Sequence, residues 1–103
     1  MKGKESIEYI PNVHPGEVVL EEFMKPYDIS ISKLAKDIYM PEDEVSDLVD
    51  GRMRMTATFA RRLAKYFNMS TKFWLNLQIE YDLEEERRSK EDVLSKIEPY
   101  QAA

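Results

Sequence analysis

The sequence predicts an all-α fold of five to six helices in one domain. Three observations carry that expectation. Apolar residues recur three and four positions apart over several short stretches, the period of a helix with one buried face. Capping residues stand in front of those stretches, and glycine or asparagine stands behind two of them. No stretch alternates apolar and polar residues between hairpin turns, so no sheet is expected.

Pro15 suits the first position of a helix, and Glu17 falls in its first turn, where a carboxylate meets the positive end of the helix dipole. Leu20, Phe23 and Met24 form a short apolar stripe, and Pro26 is expected to end the helix. Ser30 caps a second helix, on which Ile31, Leu34, Ala35 and Ile38 share a face. A third runs from about Pro41 to Asp50 with Val45, Leu48 and Val49 inward, and Gly51 supplies a left-handed terminus. Thr56 caps a fourth, which carries Ala60, Leu63, Ala64 and Phe67 and ends at Asn68. Ser70 caps a fifth with Phe73, Trp74, Leu77 and Tyr81 on one side. Val93, Leu94 and Ile97 suggest one more short helix before Pro99. Leu34, Ala35, Ile38, Val45, Leu48, Leu63 and Phe67 are the expected core.

Composition narrows the function. The chain has 103 residues, 43% of them hydrophobic, enough for one modest core. It has no cysteine, which excludes disulfides and thiolate metal sites. No apolar run approaches the roughly 20 residues of a bilayer span, and Met1 to Glu8 lack the apolar centre of a secretory leader. The cytoplasm is the expected location. His14 is the sole histidine, and its place at a helix entrance favours a structural role. No nucleophile, base and orienting group occur together, so catalysis, metal and cofactor are not expected.

The net charge of −5 argues against indiscriminate attraction to nucleic acid. Its distribution is more informative. Residues 41–50 carry five acids and no base, and residues 51–72 carry six bases and no acid. Residues 80–98 return to eight acids against four bases. A basic face on an acidic protein is therefore available.

The second and third helices are short, and only Tyr39 and Met40 are expected between them. Two short helices joined by a tight turn are the pattern of a helix-turn-helix, whose second helix enters the DNA major groove. Periodicity alone fits a plain helical bundle better.

The full string of residues changes the balance. His14-Pro15-Gly16-Glu17 opens the first helix, Leu34-Ala35 lies in the second, and Val45-Ser46 with Leu48 lies in the third. Gly51-Arg52, Thr56, Ala60 and Arg62-Leu63-Ala64 follow. The string closes with Phe73-Trp74-Leu75-Asn76-Leu77-Gln78 and Tyr81-Asp82-Leu83. Over residues 13–83 the chain resembles the HigA-type (VapI-type) antitoxins of the xenobiotic-response-element helix-turn-helix class. The resemblance implies a lambda-repressor-like fold and a homodimer bound to palindromic operator DNA. It also implies repression of the protein's own operon and neutralisation of a RelE-like ribonuclease toxin. The chain is expected to divide into a tail at 1–12, a helix-turn-helix domain at 13–87 and an extension at 88–103.

The candidate DNA contacts are Ser32 and Lys33 on the second helix, Glu42, Asp43, Glu44, Ser46 and Asp47 on the third, and Arg52 and Arg54 behind it. Arg52 and Arg54 are placed to meet phosphates, and Glu44 and Ser46 to face base edges. The acids depart from the family's pattern, which has donors at the front of this helix, and Ile31 stands where glutamine is common. Carboxylates accept from cytosine N4 but repel phosphates. The same fold without DNA binding, as a protein-interaction module, is the alternative. The Phe73 to Leu83 face is the expected dimer surface. Glu17, Glu21 and Glu22, with Glu84 to Glu86, are the acids expected to attract a basic toxin.

Overall fold

The computed structural model describes residues 11–89 and 91–101, with the backbone alone at Glu91 and Asp92. Residues 1–10 of the expected tail lie outside the described residues. All the described elements are helical. The first, α1, turns as an α-helix over Pro15–Val18, widens into a π-helix over Val19–Met24 and tightens into a 3-10 turn over Lys25–Tyr27. Then come α2 (Ile31–Ile38), α3 (Glu42–Val49), α4 (Ala57–Phe67), α5 (Thr71–Ser89) and α6 (Glu91–Ser95).

The first helix corrects two expectations. In the widened stretch the Lys25 amide donates to the Leu20 carbonyl, five residues back. That spacing brings Val19 and Met24 inward together, both almost wholly buried. Of the expected apolar stripe, Met24 is buried, Leu20 and Phe23 are half-buried against the core, and Val19 joins it from outside the stripe. Pro26 does not stop the winding. It sits at the start of the 3-10 turn, where its missing N–H costs no hydrogen bond, and Asp28 ends the turn in the left-handed conformation at φ 56°.

The capping residues behave as their chemistry predicts. The Ser30 hydroxyl accepts from the Lys33 amide at 3.0 Å, Thr56 from Phe59 at 3.2 Å, and Ser70 from Phe73 at 3.0 Å. Each satisfies an amide that the first helical turn leaves without a carbonyl. Asn68 closes α4 at φ 57°, and Gly51 follows α3 at φ 79°.

Leu34, Ala35, Ile38, Val45, Leu48 and Leu63 are buried as expected, joined by Phe59, Ala60, Met55 and Trp74. Phe67 is the exception. It is half-buried at the end of α4, tilted against Phe23 at 5.1 Å and Trp74 at 6.1 Å between ring centroids.

Between α2 and α3 the chain passes through Tyr39 at φ 59°, ψ 45°, a left-handed conformation usually left to glycine. The tyrosine ring is 86% exposed, so packing gives little back for the strain. The backbone there is held instead. The Met40 amide donates to the Ala35 carbonyl at 3.0 Å, and the Arg62 guanidinium donates to the carbonyls of Tyr39 at 2.6 Å and Ile38 at 3.2 Å. Tyr39→Gly is therefore expected to raise stability by about 1 kcal/mol, the lower end of the left-handed penalty of an L-residue. Urea unfolding of the two proteins checks it, with a rise in midpoint at unchanged slope.

Candidate nucleic-acid interface

The position of α3 is set by α1. A side chain at Gly16 would place its first carbon 1.7 Å from the Leu48 carbonyl oxygen, so only glycine lets the start of α1 lie on the end of α3. Just before it, His14 caps α1: its Nδ1 accepts from the Gly16 amide at 2.9 Å. The ring also meets Tyr81 of α5 edge-on, with centroids 5.0 Å apart. The Asn12 amide donates to the Tyr81 carbonyl at 2.9 Å and to the Glu85 carboxylate at 3.1 Å. The short segment before α1 thus ties α1, and through Gly16 the end of α3, to α5.

His14 accepts through Nδ1 only while that nitrogen is unprotonated. Burial lowers its pKa below the usual 6.5, against the opposing pull of Asp82. The unfolded chain therefore takes up this proton first. The cap's contribution is full above pH 6.5 and is lost as pH falls below that value through the folded one. The loss is expected to stay below about 1 kcal/mol, the worth of a good N-cap, because the ring is largely screened by solvent. His14→Asn retains a capping oxygen without a titration in this range. Thermal unfolding from pH 7.5 down to pH 5.5 should show a decline in the wild type that this variant lacks.

The loop from α3 to α4 is anchored by a side chain that sequence reasoning left unassigned. Gln78 of α5 is 4% exposed. Its carbonyl accepts from the Met55 amide at 2.7 Å, and its amide donates to Asp82 at 2.9 Å. Asp82 in turn takes both terminal nitrogens of Arg54, at 2.8 and 3.3 Å. Arg54 and Gln78 together hold the Asp82 carboxyl below the usual carboxylate range. Glutamine inside a helix face reads as a surface residue, and only its position at the end of the Phe-Trp-Leu-Asn-Leu-Gln string hints otherwise.

The candidate contacts fall in three places. Ser32 and Lys33 are exposed near the start of α2, where Lys33 pairs with Asp37 at 2.9 Å. Glu42 and Asp43 are exposed on the first turn of α3, with Glu44, Ser46 and Asp47 half-buried behind them. Arg52 and Arg54 are exposed, but both are engaged. Arg52 lies 3.0 Å from Asp47 and 3.2 Å from Asp50, and Arg54 lies on Asp82. The front of α3 therefore presents acid, and the arginines behind it face acids of their own chain.

The acids expected to meet a toxin are also partly engaged. Glu21 pairs with Lys25 at 2.9 Å, and Glu84 is flanked by Arg87 and Arg88, which lower its carboxyl to a pKa of about 2. At the start of the Phe73 to Leu83 face, Phe73 and Trp74 pack against Phe23, as aromatics at helical spacing usually do. Ile79 and Leu83 remain exposed on α5, at 52% and 60%. Among the described residues no group of acids or histidine is arranged to hold a metal ion, and no helix is long and apolar enough to cross a membrane.

No family model matches the chain. Individual relatives do. It is 34% identical over 84 residues to virulence-associated protein I of Dichelobacter nodosus, spanning 82% of this chain and 78% of that protein. It is 31% identical over 87 residues to antitoxin HigA-1 of Vibrio cholerae, spanning 84% of this chain and 82% of the antitoxin. The chain belongs to the HigA-type family of helix-turn-helix antitoxins. The fold agrees: Pseudomonas aeruginosa antitoxin HigA, solved with the higBA promoter, superposes with a TM-score of 0.82 at 35% identity. The match covers 88% of this chain and all of that one. Several residues of the HigA-type string have structural explanations in this chain. His14 caps α1, Gly16 admits α3, Trp74 fills the core, and Gln78 with Asp82 fastens the loop behind α3.

Proposed function

We infer that this protein is a DNA-binding antitoxin. It represses its own operon as a homodimer in the cytoplasm and neutralises a small RelE-like ribonuclease toxin. The observation that carries the reading is the α2–turn–α3 unit seated on Gly16, in a fold shared with an antitoxin solved on its promoter. A homodimer is what two half-sites about 34 Å apart require, and exposed Ile79 and Leu83 on α5 offer apolar surface for it. The toxin's working face, which binds RNA, is basic, and the acids of α1 and α5 are the complement.

A second reading has an observation of its own. The acidic front of α3 and the pairing of Arg52 and Arg54 with acids favour a module that keeps the fold and binds protein alone.

One experiment separates them. The neighbouring gene is expressed in a bacterial host with and without this protein, beside a reporter under the upstream DNA of its own gene. Rescue of growth together with repression of the reporter is the expected result. Rescue without repression selects the protein-only module. Repression without rescue removes the toxin, and the absence of both removes the antitoxin reading.

A further inference from the structure

Among the described residues, two groups of cations flank the helix-turn-helix. Arg52 and Arg54, in the loop behind α3, are matched by Asp47, Asp50 and Asp82. A phosphate that drew Arg52 away would leave Asp47 and Asp50 facing the DNA. Drawing Arg54 away would break its two-pronged contact with Asp82, which Gln78 holds in place. Among the described residues Lys36, Arg61, Arg62, Lys65 and Lys72 take no carboxylate partner. Three of these, Arg61, Arg62 and Lys65, line one feature.

That feature is an open groove of about 1160 Å³ between the end of α2 and the outer face of α4. Arg61, Arg62 and Lys65 line it together with the neutral donors Thr58 and Asn68. Arg61 and Lys65 lie one helical turn apart and are both exposed. The one carboxylate in its wall, Asp37, is already bonded to Lys33 at 2.9 Å and to the Tyr66 hydroxyl at 2.5 Å. Tyr39 forms part of the rim, so the groove opens beside the turn that leads into α3. Arg62 fastens its wall to that turn through the Ile38 and Tyr39 carbonyls.

We propose that this α2–α4 groove seats the DNA phosphate backbone, through Arg61 and Lys65, and that the loop arginines do not. The proposal rests on the DNA-binding reading above and names where the affinity comes from. Charge complementarity selects the occupant: Arg61 and Lys65, with Asp37 as the one acid of the wall and already bonded to Lys33 and Tyr66, fit a polyanionic backbone. The groove adjoins the helix-turn-helix, so one duplex can touch both. The acidic front of α3 is then tolerable, because attraction to phosphate is supplied from the side and not by the helix that faces the bases.

The test compares three proteins on a duplex taken from the upstream DNA of their own gene, across a salt titration. They are the wild type, Arg61→Gln/Lys65→Gln, and Arg52→Ala/Arg54→Ala. Arg62 is left in place because it holds the turn. Circular dichroism melts confirm that both double variants fold. The α4 variant is expected to flatten the slope of log affinity against log salt by about two, since each phosphate contact contributes about 0.9. The loop variant is expected to change it by less than about one. The reverse order, with the loop variant losing the slope and the α4 variant keeping it, overturns the proposal while leaving DNA binding intact. A wild type that binds no duplex even at low salt removes the DNA-binding reading and this proposal with it.

Discussion

Gly16→Ala is expected to destabilise the protein by about 3 kcal/mol, the upper range for forcing extra volume into a packed interior. The cost arises from backbone. An added methyl carbon would sit 1.7 Å from the Leu48 oxygen and 2.6 Å from its carbon, and no rotamer change moves a carbonyl at the end of a helix. α1 must lift from α3, and with it go the His14 cap and the Asn12 contacts to α5. In a domain of this size each kcal/mol is worth roughly 4–8 °C in melting temperature, so a fall of more than about 12 °C is expected by calorimetry. Gly51→Ala is the control. There the added carbon meets the His14 ring at an ordinary 3.7 Å, and only the φ of +79° is unfavourable. Its loss should stay near 1 kcal/mol. Equal effects at the two sites would mean that α1 and α3 are not in contact in solution.

Trp74→Ala is expected to cost about 3–5 kcal/mol, as removal of a buried aromatic does when the surroundings cannot collapse. Trp74 is wholly buried among Phe23, Phe67 and Phe73, with ring centroids 4.8, 6.1 and 4.9 Å away. It is also the only described residue with a buried side-chain nitrogen or oxygen that lacks a hydrogen-bond partner, its indole N–H. Trp74→Phe keeps a ring and removes that unsatisfied donor, so the cavity cost is partly offset. The phenylalanine variant should lose less than half of what the alanine variant loses, measured by urea unfolding. A phenylalanine loss equal to the alanine loss would show that the indole nitrogen has a partner in solution.

Much of the fold is legible because short-range chemistry specifies it. Ser30, Thr56 and Ser70 each cap the helix they precede, and Leu34, Ala35, Ile38, Leu63 and Ala64 keep a period that nothing tertiary disturbs. The widened turn of α1 is not legible, since ordinary helical spacing brings Leu20, Phe23 and Met24 to one side and leaves Val19 off it. The left-handed Tyr39 is hidden for a different reason. A residue other than glycine is tolerated there because Arg62, from 23 positions away, holds the turn's carbonyl.

The candidate site divides along the same line. Its helices could be placed from the sequence, and its charges could be counted. What the sequence hid was which charges are already matched. Asp47 and Asp50 stand close enough to Arg52 in the chain to have been suspected, but Asp82 reaches Arg54 only through the fold, across 28 positions. Gln78 escaped for the same reason: its partner is a backbone amide 23 residues away. Arg61 and Lys65 read as one more stretch of basic helix until the groove beside them is seen, with its one acid, Asp37, already bonded elsewhere.

DNA recognition by an acidic helix-turn-helix is the proposal on which the rest depends. Its most direct test is the ratio of dissociation constants for the upstream DNA of its own gene and for an unrelated duplex of equal length, both at physiological salt. A preference of about 1,000-fold or more is expected, the lower bound for specific recognition. Equal affinity for the two duplexes would contradict it.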